Sequence, residues 1–361
     1  MRRRHFLAAL GGSAAAAAIP AFAGIQTAIP RWRGFNLLDF FQAFTREDRR
    51  PSVTDDELRW IRDWGFNFVR IPLDYWYWIQ TDWRKTRKLE SDDVFKIDES
   101  ALAPIDRIVD LGRKFGIHVN LNFHRAPGYC VNDPEREPFL LWRDGRAEDA
   151  FAQHWTTFAR RYQGVSEFDL SFNLVNEAPR PREGYMTTED YVRVMRRGAA
   201  AIREVSPQRL ILVDGLDYGN IVVEDLIADG FAQSVHAYWP SQVSHYRASW
   251  VDKQSTFPMP GWPADRRKEL EARYQPWAEL ARKGIGVHCG ECGCYSKTPH
   301  DVFLAWFGDV LEILEGYEIG YSLWNFRGSF GVLDSGREDV AYEDWHGRKL
   351  DRKLLALMQA H

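Results

Sequence analysis

The chain has 361 residues, of which 45% are hydrophobic and 14% aromatic, enough apolar material to bury a large core and to exclude a disordered polypeptide. Its formal charge is -4 at pH 7, so no basic footprint for a nucleic-acid partner is expected. Fifteen tryptophans supply flat apolar faces that serve either as core or as exposed platforms, and composition alone leaves that choice open.

The chain opens Met1-Arg-Arg-Arg-His-Phe-Leu, continues through an alanine-rich apolar run to Ile19, and then reads Pro20-Ala21-Phe22-Ala23-Gly24. This pattern predicts a signal peptide over residues 1–23. Arg3-Arg4-His5-Phe6-Leu7 resembles the twin-arginine consensus, and Ala21-Phe22-Ala23 fits the small-residue rule for cleavage before Gly24. The run is short against a bilayer span of about 20 residues, so an exported chain, periplasmic or extracellular and free of the membrane after leader removal, is expected. Losing Arg2, Arg3 and Arg4 makes the mature chain still more acidic.

From about Arg31 onward there is no Gly/Ser or Pro-rich linker and no repeat of fixed period, so one catalytic domain over 31–361 is expected. Short apolar runs recur in it, each followed by a polar turn and then by helical periodicity. The predicted strands begin with Arg33 to Leu38, Phe66 to Pro72, Ile117 to His124 and Phe168 to Asn176. Arg209 to Asp214, Gln233 to Tyr238, Gly284 to Cys289 and Ile319 to Trp324 complete the set. Helices are predicted over Thr54 to Trp64, Ala101 to Phe115, Ala147 to Tyr162, Thr188 to Val205 and Pro299 to Gly316. The first opens on a capping-box pattern from Thr54 to Glu57. Eight strands alternating with helices predict a single-domain α/β fold, the (β/α)8 TIM barrel. No G-x-G-x-x-G follows an early strand, which removes the cofactor signature of the doubly wound alternative.

Four cysteines, Cys130, Cys289, Cys292 and Cys294, pose a separate question, because three fall in Val287-His-Cys-Gly-Glu-Cys-Gly-Cys-Tyr295. Cys289-x-x-Cys292 has zinc-like spacing but lacks a second such pair, so buried thiols are expected and no metal or other cofactor is called for. An oxidising compartment also allows one disulfide, from Cys130 to Cys292 or Cys294.

Nearly every predicted strand closes on a polar residue, and in such barrels the C-terminal strand ends build the active site. Glu177 ends Ser171-Phe-Asn-Leu-Val-Asn-Glu177 and Glu291 ends Ile285-Gly-Val-His-Cys-Gly-Glu291, which sets two carboxyls on the fourth and seventh strands facing each other across one mouth. Cleaving a glycosidic bond needs such a pair. One carboxylic acid protonates the leaving oxygen while a carboxylate meets the developing oxocarbenium ion.

At these residues the chain resembles glycoside hydrolase family 5, the cellulase-like family of retaining (β/α)8 glycosidases. Asn176-Glu177 matches the family's Asn-Glu pair, and Gly290-Glu291-Cys292-Gly293 matches its Gly-Glu-x-Gly. Arg70 in Val69-Arg-Ile-Pro72, His124, His236-Ala-Tyr238 and Trp324 match the remaining positions. The resemblance implies Glu177 as general acid/base and Glu291 as nucleophile. It implies that Arg70 holds Glu291 ionised and lowers its pKa, with Tyr238 donating to it. Asn176 would bond the sugar 2-hydroxyl, His124 and His236 would line the cleft, and Trp324 would lie beneath the sugar. Trp76, Trp78, Trp142, Trp239, Trp262 and Trp345 are candidate accessory platforms. The substrate implied is a polysaccharide or oligosaccharide of β-glucan or a related β-linked glycan; a monomer is expected for a secreted barrel of this size. Exo-acting β-glucosidase, β-mannanase and a non-catalytic sugar-binding barrel stay open as alternatives.

Two departures from the family pattern carry expectations of their own. The run His124-Arg125-Ala-Pro-Gly-Tyr-Cys130 is expected to set the Arg125 cation at the cleft rim, and the segment from Asn325 through Trp345-His346 to lie as a long loop over the mouth.

Overall fold

The computed structural model describes residues 28–42, 52–86, 88–254 and 256–361; the predicted signal peptide lies outside them. Eight parallel strands, Arg33–Asn36, Phe68–Asp74, His118–Ala126, Leu170–Asn173, Leu210–Asp214, Ala232–Ala237, Val287–Cys292 and Gly320–Leu323, are referred to below as the first to the eighth. Each pairs with its chain neighbours, and the first also pairs with the eighth, so the sheet closes on itself. This is the predicted (β/α)8 barrel. Among the described residues no helix is long and apolar enough to cross a membrane.

Local sequence explains the helices around it. Thr54 Oγ1 accepts from the Glu57 amide at 3.1 Å and Glu57 returns a carboxylate oxygen to the Thr54 amide at 2.9 Å, closing the predicted capping box on Asp55–Asp63. The other predicted helices appear at Ala103–Phe115, Gly145–Arg161, Thr188–Val205 and His300–Gly316. Arg267–Arg282 was not predicted; it carries Pro276 inside, a residue that removes a helical donor and masks the periodicity.

The third strand shows how the barrel is filled. Its outward residues Val119, Leu121 and Phe123 are fully buried, Phe123 stacking on Trp155 of a covering helix at 3.8 Å. The alternate residues His118, Asn120, Asn122 and His124 point into the barrel, as period two requires. Asn120 bonds Ser171 at 2.8 Å and Asn122 bonds Asn173 at 2.9 Å. The barrel interior is therefore a stack of hydrogen-bonded polar layers, with Trp32 and Phe68 closing its N-terminal end.

Candidate active site

Glu177 follows the fourth strand at φ 48°, a left-handed conformation that costs a non-glycine residue roughly 1–3 kcal/mol and persists only where its surroundings enforce it. Here the Glu177 amide donates to Asp214 at 3.0 Å and its carbonyl accepts from the Tyr129 hydroxyl at 2.7 Å. The side chain is thereby aimed across the mouth. Glu291 is aimed by a different device: the seventh strand slips register beside both neighbours, so that Val235 faces Cys289 while His236 faces Glu291. Such a bulge re-aims a side chain. Gly290 permits it, because a Cβ there would sit 2.5 Å from Ser234 Oγ.

A carboxylate oxygen of Glu177, one of Glu291 and a ring nitrogen of His236 all lie within 4.8 Å of one another. Arg70 organises the underside. It donates to Glu291 at 2.7 Å, to Asn176 Oδ1 at 2.7 Å, to Asn36 at 3.1 Å and to Asn173 at 3.2 Å. Tyr238 donates to the second Glu291 oxygen at 3.1 Å. His236 bridges the acids, with Nδ1 2.9 Å from Glu177 and Nε2 3.3 Å from Asp214.

The electrostatics depart from expectation at Glu291. Burial is the largest influence and pushes its carboxyl up to about 7, against the pull of His236 and Arg70. The guanidinium limits this rise without reversing it, so the expected depression of the Glu291 pKa is corrected. His236 is also fully buried, which opposes its charge, but the carboxylates of Glu291 and Asp214 prevail and hold its pKa well above the ordinary imidazole value. For His124 the balance is reversed: burial, reinforced by Arg70, Arg125 and His236, outweighs the opposing pull of Asp214 and holds its pKa well below the ordinary imidazole value.

These groups border a cavity of about 810 Å³ lined by His124, Glu177, His236, Tyr238, Glu291 and Trp324, together with loop residues from Leu38 to Phe330. Arg70 and Asn176 lie just beneath the lining. Asn176 Oδ1 accepts from Arg70, and its buried Nδ2, like His124 Nδ1, has no hydrogen-bond partner among the described residues. The site thus offers two carboxyls, spare donors and the Trp324 ring around one opening.

The family profile described as Cellulase (glycosyl hydrolase family 5) matches residues 26–329. The chain belongs to glycosyl hydrolase family 5. The crystal structure of a glycoside hydrolase is 39% identical, covers 91% of this chain and 99% of its own, and superposes with a TM-score of 0.83. Endoglucanase C of Acetivibrio thermocellus is 25% identical over 346 residues, 86% of this chain and 95% of that protein. Cellodextrinase A of Ruminococcus flavefaciens is 23% identical over 76% of this chain and 79% of its own. The chain is a cellulase-like glycoside hydrolase.

Within this family 5 barrel several sequence expectations are corrected. Arg125 is not a rim cation: it is 1% exposed, bonds Glu137 at 2.5 Å and stacks over Trp76 at 4.1 Å. Trp76, Trp78 and Trp142 are fully buried core. Trp262 is tied to Asp309, and Trp345 packs on Trp60 and Trp64. Trp239 does line the cleft, as does Trp250, which went unnoticed and is 52% exposed. Asn325 and residues 327–330 reach the mouth, but the rest of the expected long loop leads into the antiparallel ribbon Glu343–Trp345 and Arg348–Leu350. All four cysteines are free and buried, which corrects the possible disulfide.

Asp214 is the residue that sequence reasoning passed over. It closes the fifth strand fully buried, 3.7 Å from Arg70 and bonded by Asn173 at 3.0 Å. Despite burial, His236 and Arg70 hold its carboxyl below the usual range. The signal was available, since Asp214 is the polar residue ending a predicted strand.

Proposed function

We propose that this hydrolase cleaves a β-glucan by double displacement with retention of anomeric configuration, Glu177 serving as acid/base and Glu291 as nucleophile. The observation carrying this reading is the approach of their carboxylate oxygens to within 4.8 Å. Retaining enzymes hold their carboxyls about 5–5.5 Å apart, whereas inverting ones leave about 6.5–9.5 Å for a water.

In the first step a Glu291 oxygen attacks the anomeric carbon, the glycosidic C–O bond breaks, and Glu177 gives its proton to the departing oxygen. In the second, Glu177 takes a proton from water, the hydroxyl oxygen attacks the same carbon, and the bond to Glu291 breaks. Arg70 and His236 are two cations among three carboxyls, Glu177, Asp214 and Glu291, so one retained proton neutralises the cluster. Glu291 accepts from Arg70 and Tyr238, Asp214 accepts from Asn173, and His236 lies against both Glu177 and Asp214. The Asn176 Nδ2 donor, next to Glu177 in the chain, suits the sugar 2-hydroxyl, a contact that strengthens in the transition state.

The names endoglucanase and cellodextrinase among its relatives support a cellulose-type β-glucan or its oligosaccharides as substrate. The leader motif of residues 1–23 supports export, and N-terminal sequencing of the secreted chain should begin at Gly24. The mechanism is tested by NMR of the first product formed from an aryl β-cellobioside. The β-anomer must appear first; initial α-anomer would refute the double displacement.

A further inference from the structure

The cleft continues past Glu177. A second cavity of about 250 Å³ is lined by Tyr129, Val131, Pro179, Arg182, Tyr185 and Tyr218, among others, and shares Val131 and Tyr218 with the main cleft. Tyr129 bonds the Glu177 carbonyl, and the Tyr218 amide donates to the Ala178 carbonyl at 2.9 Å. The chamber therefore adjoins the proton-donating glutamate, the side on which a leaving group departs.

Tyr218 stands at the junction, 44% exposed. It and Asp217 are consecutive non-glycine residues at φ 60° and 54°. Arg180 on Asp217 at 2.9 Å and Asn220 Nδ2 on the Asp217 carbonyl at 2.5 Å hold this turn. Strain of this kind, enforced by its surroundings, accompanies binding sites.

The charges around the two cavities are one-sided. Apart from Glu177 and Glu291, the lining carries no carboxylate and no lysine among the described residues, but it does carry Arg180, Arg182, Arg273 and Arg327. Arg180 is committed to Asp217 and Arg327 to Glu57. Arg182 and Arg273 pair with no carboxylate among the described residues. Arg182 lies over the Tyr185 ring at 4.4 Å, while Arg273 donates to Asn220 at 2.6 Å and lies over Trp239 at 5.5 Å. Both guanidinium groups are pre-positioned on aromatic faces with donors to spare. Sugar hydroxyls give and take hydrogen bonds, but a guanidinium only gives, and its best match is an acceptor-only carboxylate bound at both oxygens.

We propose that the leaving-group side of this cleft recognises a carboxylate-bearing glycan, with Arg273 and Arg182 receiving the acid and Tyr218 packing the sugar ring between them. The proposal deepens the hydrolase reading and rests on it only for which side is the leaving-group side. Its source is either a uronic acid in the chain or an acidic ester substituent on a neutral chain.

The test is titration calorimetry on the full mature chain carrying Glu177→Gln, which binds without cleaving. The probes are cellotetraose, cellotetraose oxidised at C6 to glucuronate, and cellotetraose bearing succinyl half-esters. At least one acidic probe should bind about tenfold more tightly than the neutral one, the worth of one charge-assisted hydrogen bond. That preference should shrink at high ionic strength, fall towards one with Arg182→Gln or Arg273→Gln, and persist in part with the lysine variants. The tighter acidic probe identifies the source. Equal affinities for all three probes, or a preference that survives both glutamine variants, would overturn the proposal. Failure of the unsubstituted chain to hydrolyse probes that bind would instead end the hydrolase reading.

Discussion

His118 and His288 at one end of the barrel interior and His236 at the other are the same residue type, buried alike and treated in opposite ways. At the N-terminal end His118 stacks on Trp32 at 3.8 Å, and Phe68 packs against His288 at 4.3 Å. Burial, helped by neighbouring cations, depresses both imidazoles to about 3. At the C-terminal end His236 is just as deeply buried, yet the carboxylates around it keep it charged. Burial by itself therefore does not set a histidine's charge. What decides is whether an acid is buried with it. One end serves as a neutral plug and the other as a charged machine, on the same eight strands.

Mutations at the two ends should separate these roles. At the charged end, Glu291→Ala is expected to reduce kcat on the order of 10⁴-fold or more, and Glu177→Ala by about 10²–10⁴-fold on substrates with poor leaving groups. Both should leave thermal unfolding close to that of the parent. A Glu291→Ala variant with parental kcat would abolish the division between the ends. At the neutral end, Trp32→Ala should cost about 3–5 kcal/mol of stability through the cavity it leaves, measured by denaturant unfolding. The folded fraction should keep its kcat/KM.

Acidity sharpens the contrast further. His118 and His288 have folded pKa values below their unfolded ones, so the unfolded chain takes up protons first as pH falls. Their contribution is complete above about 6.5 and lost progressively towards about 3, on the order of 4 kcal/mol for each ring at the acid limit. His118→Asn should flatten the dependence of unfolding free energy on pH across that window; an unchanged slope would mean that the plug titrates elsewhere. At the other end, a carboxyl raised to about 7 moves the acid limb of kcat/KM towards neutrality. Because His236 lowers the Glu291 pKa, His236→Asn should shift that limb to still higher pH. The smallest effect belongs to Tyr238→Phe, which removes one neutral donor from Glu291 and should lower kcat about tenfold or less.

Much of this was readable in the chain. The capping box from Thr54 to Glu57, the helix over Thr188–Val205 and the eight strand positions follow from local pattern, because period and caps act between residues a few positions apart. The Asn176-Glu177 and Gly290-Glu291 pairs were recognisable for a similar reason: each motif is a local backbone solution, a strained turn in one case and a glycine-dependent bulge in the other. The alternation His118, Asn120, Asn122, His124 places polar side chains in the barrel interior, where apolar strands were expected. Arg125 shows where local reading stops. Beside a catalytic-looking histidine it reads as a rim cation, and only the arrival of Glu137 and Asp74 from elsewhere makes it a buried structural ion.

Sequence by itself thus determined the barrel and the family, since each depends on periodicity or on a contiguous motif, and it singled out the two glutamates for the roles proposed for them. Tertiary structure alone decided the charges. Asp214 became the pivot between Arg70 and His236, Glu291 rose instead of falling, and among the described residues two arginines were left without acids at the cleft, because burial and Coulomb interactions depend on distances through space between residues far apart in the chain.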